Sequence, residues 1–179
     1  MKATILFFLI VSFTANMPKV FTNKYYDNGK KMACGWLKAD KKVGFWEFFY
    51  KDGHIKSKGH FLNDLKDGYW TTYHFSNKNK KTQGNYSNNK KSGYWYYYNS
   101  LGEVTKKGHY DNDKPVRWWK YYSTNQNEKC IYQPDGKTRY CLIYINGKLQ
   151  KGSKYINDTL MNEWNSISKF KLDNPDFSF

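Results

Sequence analysis

A Gly-aromatic-Trp triplet recurs at Gly44-Phe45-Trp46, Gly68-Tyr69-Trp70 and Gly93-Tyr94-Trp95, and Arg117-Trp118-Trp119 continues it with the glycine lost. The spacings are 24, 25 and 24 residues. A second marker keeps the same frame at Gly35-Trp36-Leu37, Gly59-His60-Phe61, Gly84-Asn85-Tyr86 and Gly108-His109-Tyr110. A third set of glycines, Gly29, Gly53 and Gly102, holds it again, with Asn77 in the missing place. A unit this short has room for two strands and two turns and little room for a helix, so the chain is constrained to stack like hairpins.

Within a unit, Gly93 to Tyr98 reads as a strand of the aromatic residues that suit a pleated surface. Asn99-Ser100-Leu101-Gly102 turns the chain, as Tyr50 to Gly53 and Tyr26 to Gly29 do earlier. A return strand, Glu103 to Asp111, follows, and a polar loop such as Asp64-Leu65-Lys66 leads onward. The product is an all-β antiparallel meander of about eight strands over residues 25–122. Alternation puts Trp46, Trp70, Trp95 and Trp119 on one face, joined by Leu37, Phe61, Tyr86 and Tyr110 from the return strands. The opposite face carries a column of Glu47, Thr71, Tyr96 and Lys120, too polar for a core.

The composition agrees: 17 Tyr, 12 Phe and 7 Trp in 179 residues supply in rings what other folds take from Leu and Val. The net charge of +15 comes almost wholly from lysine, since Arg117 and Arg139 are the only arginines. Readers of nucleic acid favour arginine, so specific nucleic-acid binding is not expected.

These markers resemble the bacterial variant of the MORN repeat, of the form G-x-W-x-x-Y-Y-x-x-G-x-x-x-x-x-G-x-Y, which Gly93 to Tyr98 with Gly102, Gly108 and Tyr110 follows closely. The resemblance covers four units across 25–122 and implies an elongated, single, twisted antiparallel sheet of hairpins. Many bacterial members carry the label of YwqK-type antitoxins, and eukaryotic relatives are linked to membrane scaffolds and phospholipid contact. The chain departs from the pattern at Arg117 and in a longer, glycine-less turn at Ser76–Lys81.

Outside the repeats, Lys2 followed by the apolar stretch Ala3 to Phe13 reads as a signal peptide over 1–15 and so as export. A buried N-terminal strand, in a protein that stays in the cytoplasm, is the alternative. Residues 16–24 read as a linker, 123–170 as extra hairpins plus a capping helix, and 171–179 as a loose tail. The helix is placed after Asp158 or Thr159, with Leu160, Trp164 and Ile167 on one face. A hairpin about Asp135-Gly136 sets Cys130 opposite Cys141, within disulfide reach, with two buried thiols as the alternative.

No reactive constellation emerges. His60 and His109 share a repeat position roughly 19 Å apart, too far for one metal ion. The acids cluster at turns, where they serve backbone hydrogen bonds. No cofactor and no catalytic residue is therefore expected, and the chain reads as a non-enzymatic interaction or scaffold protein of the envelope or secreted space. The partner face is assigned to Thr71, Tyr73, Tyr96, Tyr98, Lys120 and Tyr122. A second candidate is a rail of loop lysines, Lys42, Lys66, Lys90, Lys91 and Lys114, for anionic lipid heads. Neutralisation of a cognate toxin is the remaining alternative.

Overall fold

A computed structural model describes residues 17–175 and 177. The strands are β1 (Val20–Tyr25), β2 (Lys31–Lys38), β3 (Lys41–Phe49), β4 (Ile55–Leu62), β5 (Leu65–Tyr73), β6 (Lys80–Ser87), β7 (Lys90–Tyr98), β8 (Val104–Asp111), β9 (Lys114–Tyr122), β10 (Gln126–Tyr132), β11 (Thr138–Ile145), β12 (Lys148–Ile156) and β13 (Thr159–Trp164), followed by the helix α1 (Ile167–Asp173). Every strand pairs antiparallel with its neighbours in sequence, so the 13 strands form one open sheet in chain order. The all-β meander is thus the observed architecture, with β2–β9 as the eight strands of the repeats.

The two edges of the sheet use different turns. On one edge, pairs such as Asn63-Asp64 (φ 50 and 67), Asn88-Asn89 (50 and 67) and Asn112-Asp113 (49 and 67) both enter the left-handed region. This is the type I′ geometry that matches strand twist, and Asn and Asp tolerate it. On the other edge, Gly53 (φ 96) and its counterparts close wider turns, its N–H donating to the Tyr50 carbonyl at 2.9 Å. The third such turn has Lys78 (φ 63) in the left-handed position. The sequence frame points to Asn77; the structure has the position one residue on, at Lys78, as a spacing of 25 rather than 24 requires.

Each repeat is held by an indole lying on a glycine. Gly35, Gly59, Gly84 and Gly108 each face Trp46, Trp70, Trp95 and Trp119 in turn, and a β-carbon on any of these glycines would fall within 3.0 Å of indole atoms. The Trp Nε1–H donates to the carbonyl one residue after the glycine, at 3.0, 2.9, 3.0 and 3.0 Å for Trp36, His60, Asn85 and His109. A ring from the same return strand meets the indole edge-on: Phe61–Trp70 at 5.0 Å, Tyr86–Trp95 at 5.0 Å and Tyr110–Trp119 at 4.9 Å. A single sheet has no second layer to bury its core, yet these four Trp are at most 2 % exposed. Glycine makes the room, and the neighbouring rings close it.

The fifth hairpin replaces this arrangement. Cys130 and Cys141 face each other across β10 and β11 and are joined by a disulfide, 11 residues apart. The same separation of 11 divides each glycine from its Trp. The hairpin geometry read from Asp135-Gly136 is therefore the observed one, and the cross-link occupies the place of the indole-on-glycine pair.

Three boundaries differ from the sequence reading. Residues 16–24, read as a linker, contain all but the last residue of β1, which pairs with β2 from Val20↔Leu37 onward. The capping helix is α1 at Ile167–Asp173, not a segment begun at Asp158: Asn157-Asp158 (φ 48 and 65) forms another tight turn, so Leu160 and Trp164 belong to β13. Helical spacing and strand pattern are hard to separate in so short an apolar run, and the turn decides. The helix instead starts at Ser166, whose side chain accepts from the Lys169 N–H. Nor is 171–179 simply a tail, since α1 runs to Asp173 and Phe177 packs 5.1 Å from Phe170 and 5.5 Å from Tyr140. The signal peptide read at 1–15 lies outside the described residues.

Arg117 stands in the left-handed region (φ 59), where the other units have Gly44, Gly68 and Gly93 (φ 65, 84 and 69). An L side chain there costs energy that glycine does not. Arg117→Gly should therefore raise stability by about 0.5–1 kcal/mol, seen as a higher urea midpoint at unchanged slope. A lower midpoint would mean that the Arg117 side chain contributes more than its backbone costs.

Candidate functional site

The two faces of the sheet divide the sequence candidates differently from the way the loops suggested. Lys42, Lys66 and Lys91 are strand residues, because the turn before each, Ala39-Asp40, Asn63-Asp64 or Asn88-Asn89, is only two residues long. They lie half-buried on the Trp face. Lys66 Nζ is 4.5 Å from the Trp70 ring and 4.9 Å from Tyr86; Lys91 Nζ is 4.9 Å from Tyr110 and 5.1 Å from Trp95; Lys42 Nζ is 5.2 Å from Phe61. Their backbone N–H groups donate to the next turn, to Asp64 Oδ1 (3.0 Å), Asn89 Oδ1 (2.6 Å) and Asp113 Oδ1 (2.8 Å). Of the five proposed rail residues, only Lys90 and Lys114 are exposed at the edge. The continuous rail is a correction: three of its lysines cover indoles instead.

These lysines are not electrostatically alike. Lys42 pairs with Asp64 at 2.9 Å, and its backbone N–H is the main reason the Asp64 carboxyl sits below its usual range. Lys91 donates to the Tyr97 hydroxyl at 2.9 Å, which in turn is 2.9 Å from the Tyr110 hydroxyl. Lys66 has no carboxylate partner among the described residues, and burial pushes its ammonium below its usual pKa.

The opposite face carries the proposed partner residues. Across the strands the register links Glu47↔Lys58, Lys58↔Thr71, Thr71↔Gln83, Gln83↔Tyr96, Tyr96↔Lys107, Lys107↔Lys120 and Lys120↔Lys129 in one row. Aromatic columns flank it: Phe45, Tyr69, Tyr94 and Trp118 on one side, and Phe49, Tyr73, Tyr98 and Tyr122 on the other, two residues away along each strand. Tyr94, Tyr96 and Tyr98 form a run of rings at 5.0 and 6.3 Å. Lys107 Nζ stands 5.8 Å from Tyr96 and 5.6 Å from Tyr122, and Lys129 Nζ 4.3 Å from Trp118.

Of the assigned residues, Tyr73, Tyr96, Tyr98 and Tyr122 are half-buried and Lys120 is exposed, all on this face. Thr71 is not available: it is 7 % exposed, sunk between Lys58 and Gln83 in the register and between Tyr69 and Tyr73 on its own strand. Sequence reasoning missed Lys58, Gln83, Lys107 and Lys129. A signal existed, since the first three precede the second-marker glycine in successive units and Lys129 precedes Cys130. Gln83 Oε1 is buried and accepts no hydrogen bond from the described residues.

At the far end this face is already occupied by the chain itself. Phe170 lies over Gly152, and Phe177 meets Trp118 at 6.2 Å and Tyr140 at 5.5 Å, while Trp164 Nε1–H donates to Asp173 Oδ2 at 2.7 Å. Over the first units the same aromatic column is open, with Phe45 at 42 % and Tyr69 at 51 % exposure.

The structure brings together few groups with reactive potential. His60 pairs with Phe45 and His109 with Tyr94, in separate units. Glu128, Cys130 and Cys141 are the one cluster of metal-ligating types among the described residues, and with both sulfurs in the disulfide it offers no thiolate. No protein-family model matches the chain, and no curated protein is similar to it.

Proposed function

We propose that the chain is a non-enzymatic, exported interaction module that binds an acidic segment of another protein across the face opposite the Trp ladder. The observation that carries this reading is the charge and ring pattern of that face. Two aromatic columns flank a row holding Lys58, Lys107, Lys120 and Lys129, in which Glu47 is the one carboxylate among the described residues. Aromatic rings give a partner large contact area at small entropic cost, and the lysines select its charge. The seating of Phe177 and Asp173 at the covered end supports the same partner chemistry, rings together with carboxylates. The unpartnered Gln83 Oε1 supports a donor from outside.

Export is favoured by the signal-like residues 1–15 and by a disulfide, which persists in oxidising compartments. The resemblance to MORN-variant repeats fits a scaffold role, and neutralising a toxin would be one case of the same binding mode. Membrane-surface binding has less support, since Lys42, Lys66 and Lys91 are engaged with rings.

The test is cross-linking in the producing cell followed by recovery of the protein. Wild type should retain a discrete acidic protein, and Tyr96→Ala with Tyr98→Ala should lose most of it while the circular-dichroism spectrum stays unchanged. Undiminished retention by the double variant would remove this face as the partner surface.

A further inference from the structure

The Trp face of the first two units holds an open hollow of about 480 Å³. It exists because the row beside the indoles is small there. Ala33 and Ser57 flank Phe48, whereas the corresponding places further on are Thr82, Lys106 and Glu128. The first strand brings no indole, since β1 sets Thr22 opposite Gly35, where β3 sets Trp46 opposite Gly59, and its residue at the hollow is Lys24.

The walls are aromatic and the rim is basic. Trp46, Phe48 and Trp70 lie nearly parallel, with interplanar angles of 25° and 28° and centroids 6.0 and 6.2 Å apart, and Phe61 stands edge-on to them. Lys24, Lys42, Lys56 and Lys66 line the hollow, and among the described residues no carboxylate does. Lys42 is already paired with Asp64, but the half-buried ammonium of Lys66 has no anion to meet among the described residues. A buried cation without a counter-charge is costly, and a ligand supplying one recovers that cost on binding. The volume falls in the range of small-molecule sites.

We propose that this hollow binds a small aromatic carboxylate or sulfonate, its flat body against Trp46, Phe48 and Trp70 and its anionic group at Lys66. The site lies on the opposite face from the proposed partner surface and stands or falls separately from it. A ring body matches the stack of Phe48 with the two indoles, and Lys66, half-buried and without a carboxylate partner among the described residues where Lys24 and Lys56 are exposed, fixes which end of the ligand carries the charge. The same chemistry can come from a free small molecule or from an aromatic side chain beside a carboxylate in a peptide; the proposal is the free molecule.

The experiment titrates the full chain with 2-naphthoate, 2-naphthamide and acetyl-Asp-Trp-Asp-amide, following the indole N–H resonances. Naphthoate should shift Trp46 and Trp70 but neither Trp36 nor Trp118, and should bind at least tenfold more tightly than the neutral amide. Lys66→Gln should abolish that preference, and Ser57→Phe should block all three probes. Lys107→Gln, on the other face, should change nothing. Equal affinity for naphthoate and naphthamide, or shifts confined to Trp36 and Trp118, would overturn the proposal. Tighter binding of the peptide than of naphthoate would overturn it in favour of a protein segment. If Ser57→Phe fails to fold, the wild-type probe comparison and Lys66→Gln decide.

Discussion

Gly84→Val is expected to destabilise the protein by about 3 kcal/mol or more, although valine is the better strand residue. Gly84 has no unusual backbone angle to protect, so conformational freedom is not the reason. Its β-carbon would fall within 3.0 Å of the Trp95 indole, which is 1 % exposed and donates to the Asn85 carbonyl. To admit the side chain the indole must lift away, losing its burial, that hydrogen bond and its contact with Tyr86. The decisive measurement is a double-mutant cycle by urea unfolding. In a Trp95→Ala background Gly84→Val should cost almost nothing, giving a coupling of about 3 kcal/mol. Additive losses would mean that glycine matters here for some reason other than the indole above it.

The members of this pairing were legible in the sequence because the same glycine and the same Trp return in frame, whereas the seating of the indole on the glycine comes from the strand register. The lysines were misplaced for a definable reason. The polar run Asp64-Leu65-Lys66 reads as loop, but Asn63 and Asp64 both adopt positive φ and complete the turn, so the strand starts at Leu65. The difference of two residues turns Lys66 from an edge charge into a cation over Trp70. β1 escaped detection because it is a repeat without its marker. Shifting Phe45, Trp46 and Tyr50 back by 24 gives Phe21, Thr22 and Tyr26, and Tyr26 still donates to the Phe49 carbonyl as Tyr50 does to Tyr73. The partner face was only half visible. Its columns from β3, β5, β7 and β9 follow from the triplets, whereas its lysines come from the return strands, and the burial of Thr71 depends on neighbours that one strand cannot reveal.

The disulfide carries the second large effect. Cys130→Ala with Cys141→Ala should cost about 3 kcal/mol, the loop-closure contribution expected for a ring of this length. The loss should be felt first in β10 and β11, where the sulfurs are fully buried beside Trp119. A second variant separates the cross-link from its place in the repeat. Cys130→Gly with Cys141→Trp rebuilds the glycine and indole at their usual separation of 11. Tyr132 already stands two residues after position 130, as Tyr110 stands after Gly108, and it meets Trp119 at 6.1 Å. Ser153, opposite position 141, is small, as the glycines opposite Trp46, Trp70 and Trp95 are. The rebuilt hairpin should regain at least half of the lost stability and should no longer respond to reductant. If it is no more stable than the double-alanine variant, the cross-link is not a substitute for the indole, and the fifth hairpin is held by Arg139, which stacks 4.3 Å from Tyr155 and pairs with Asp158.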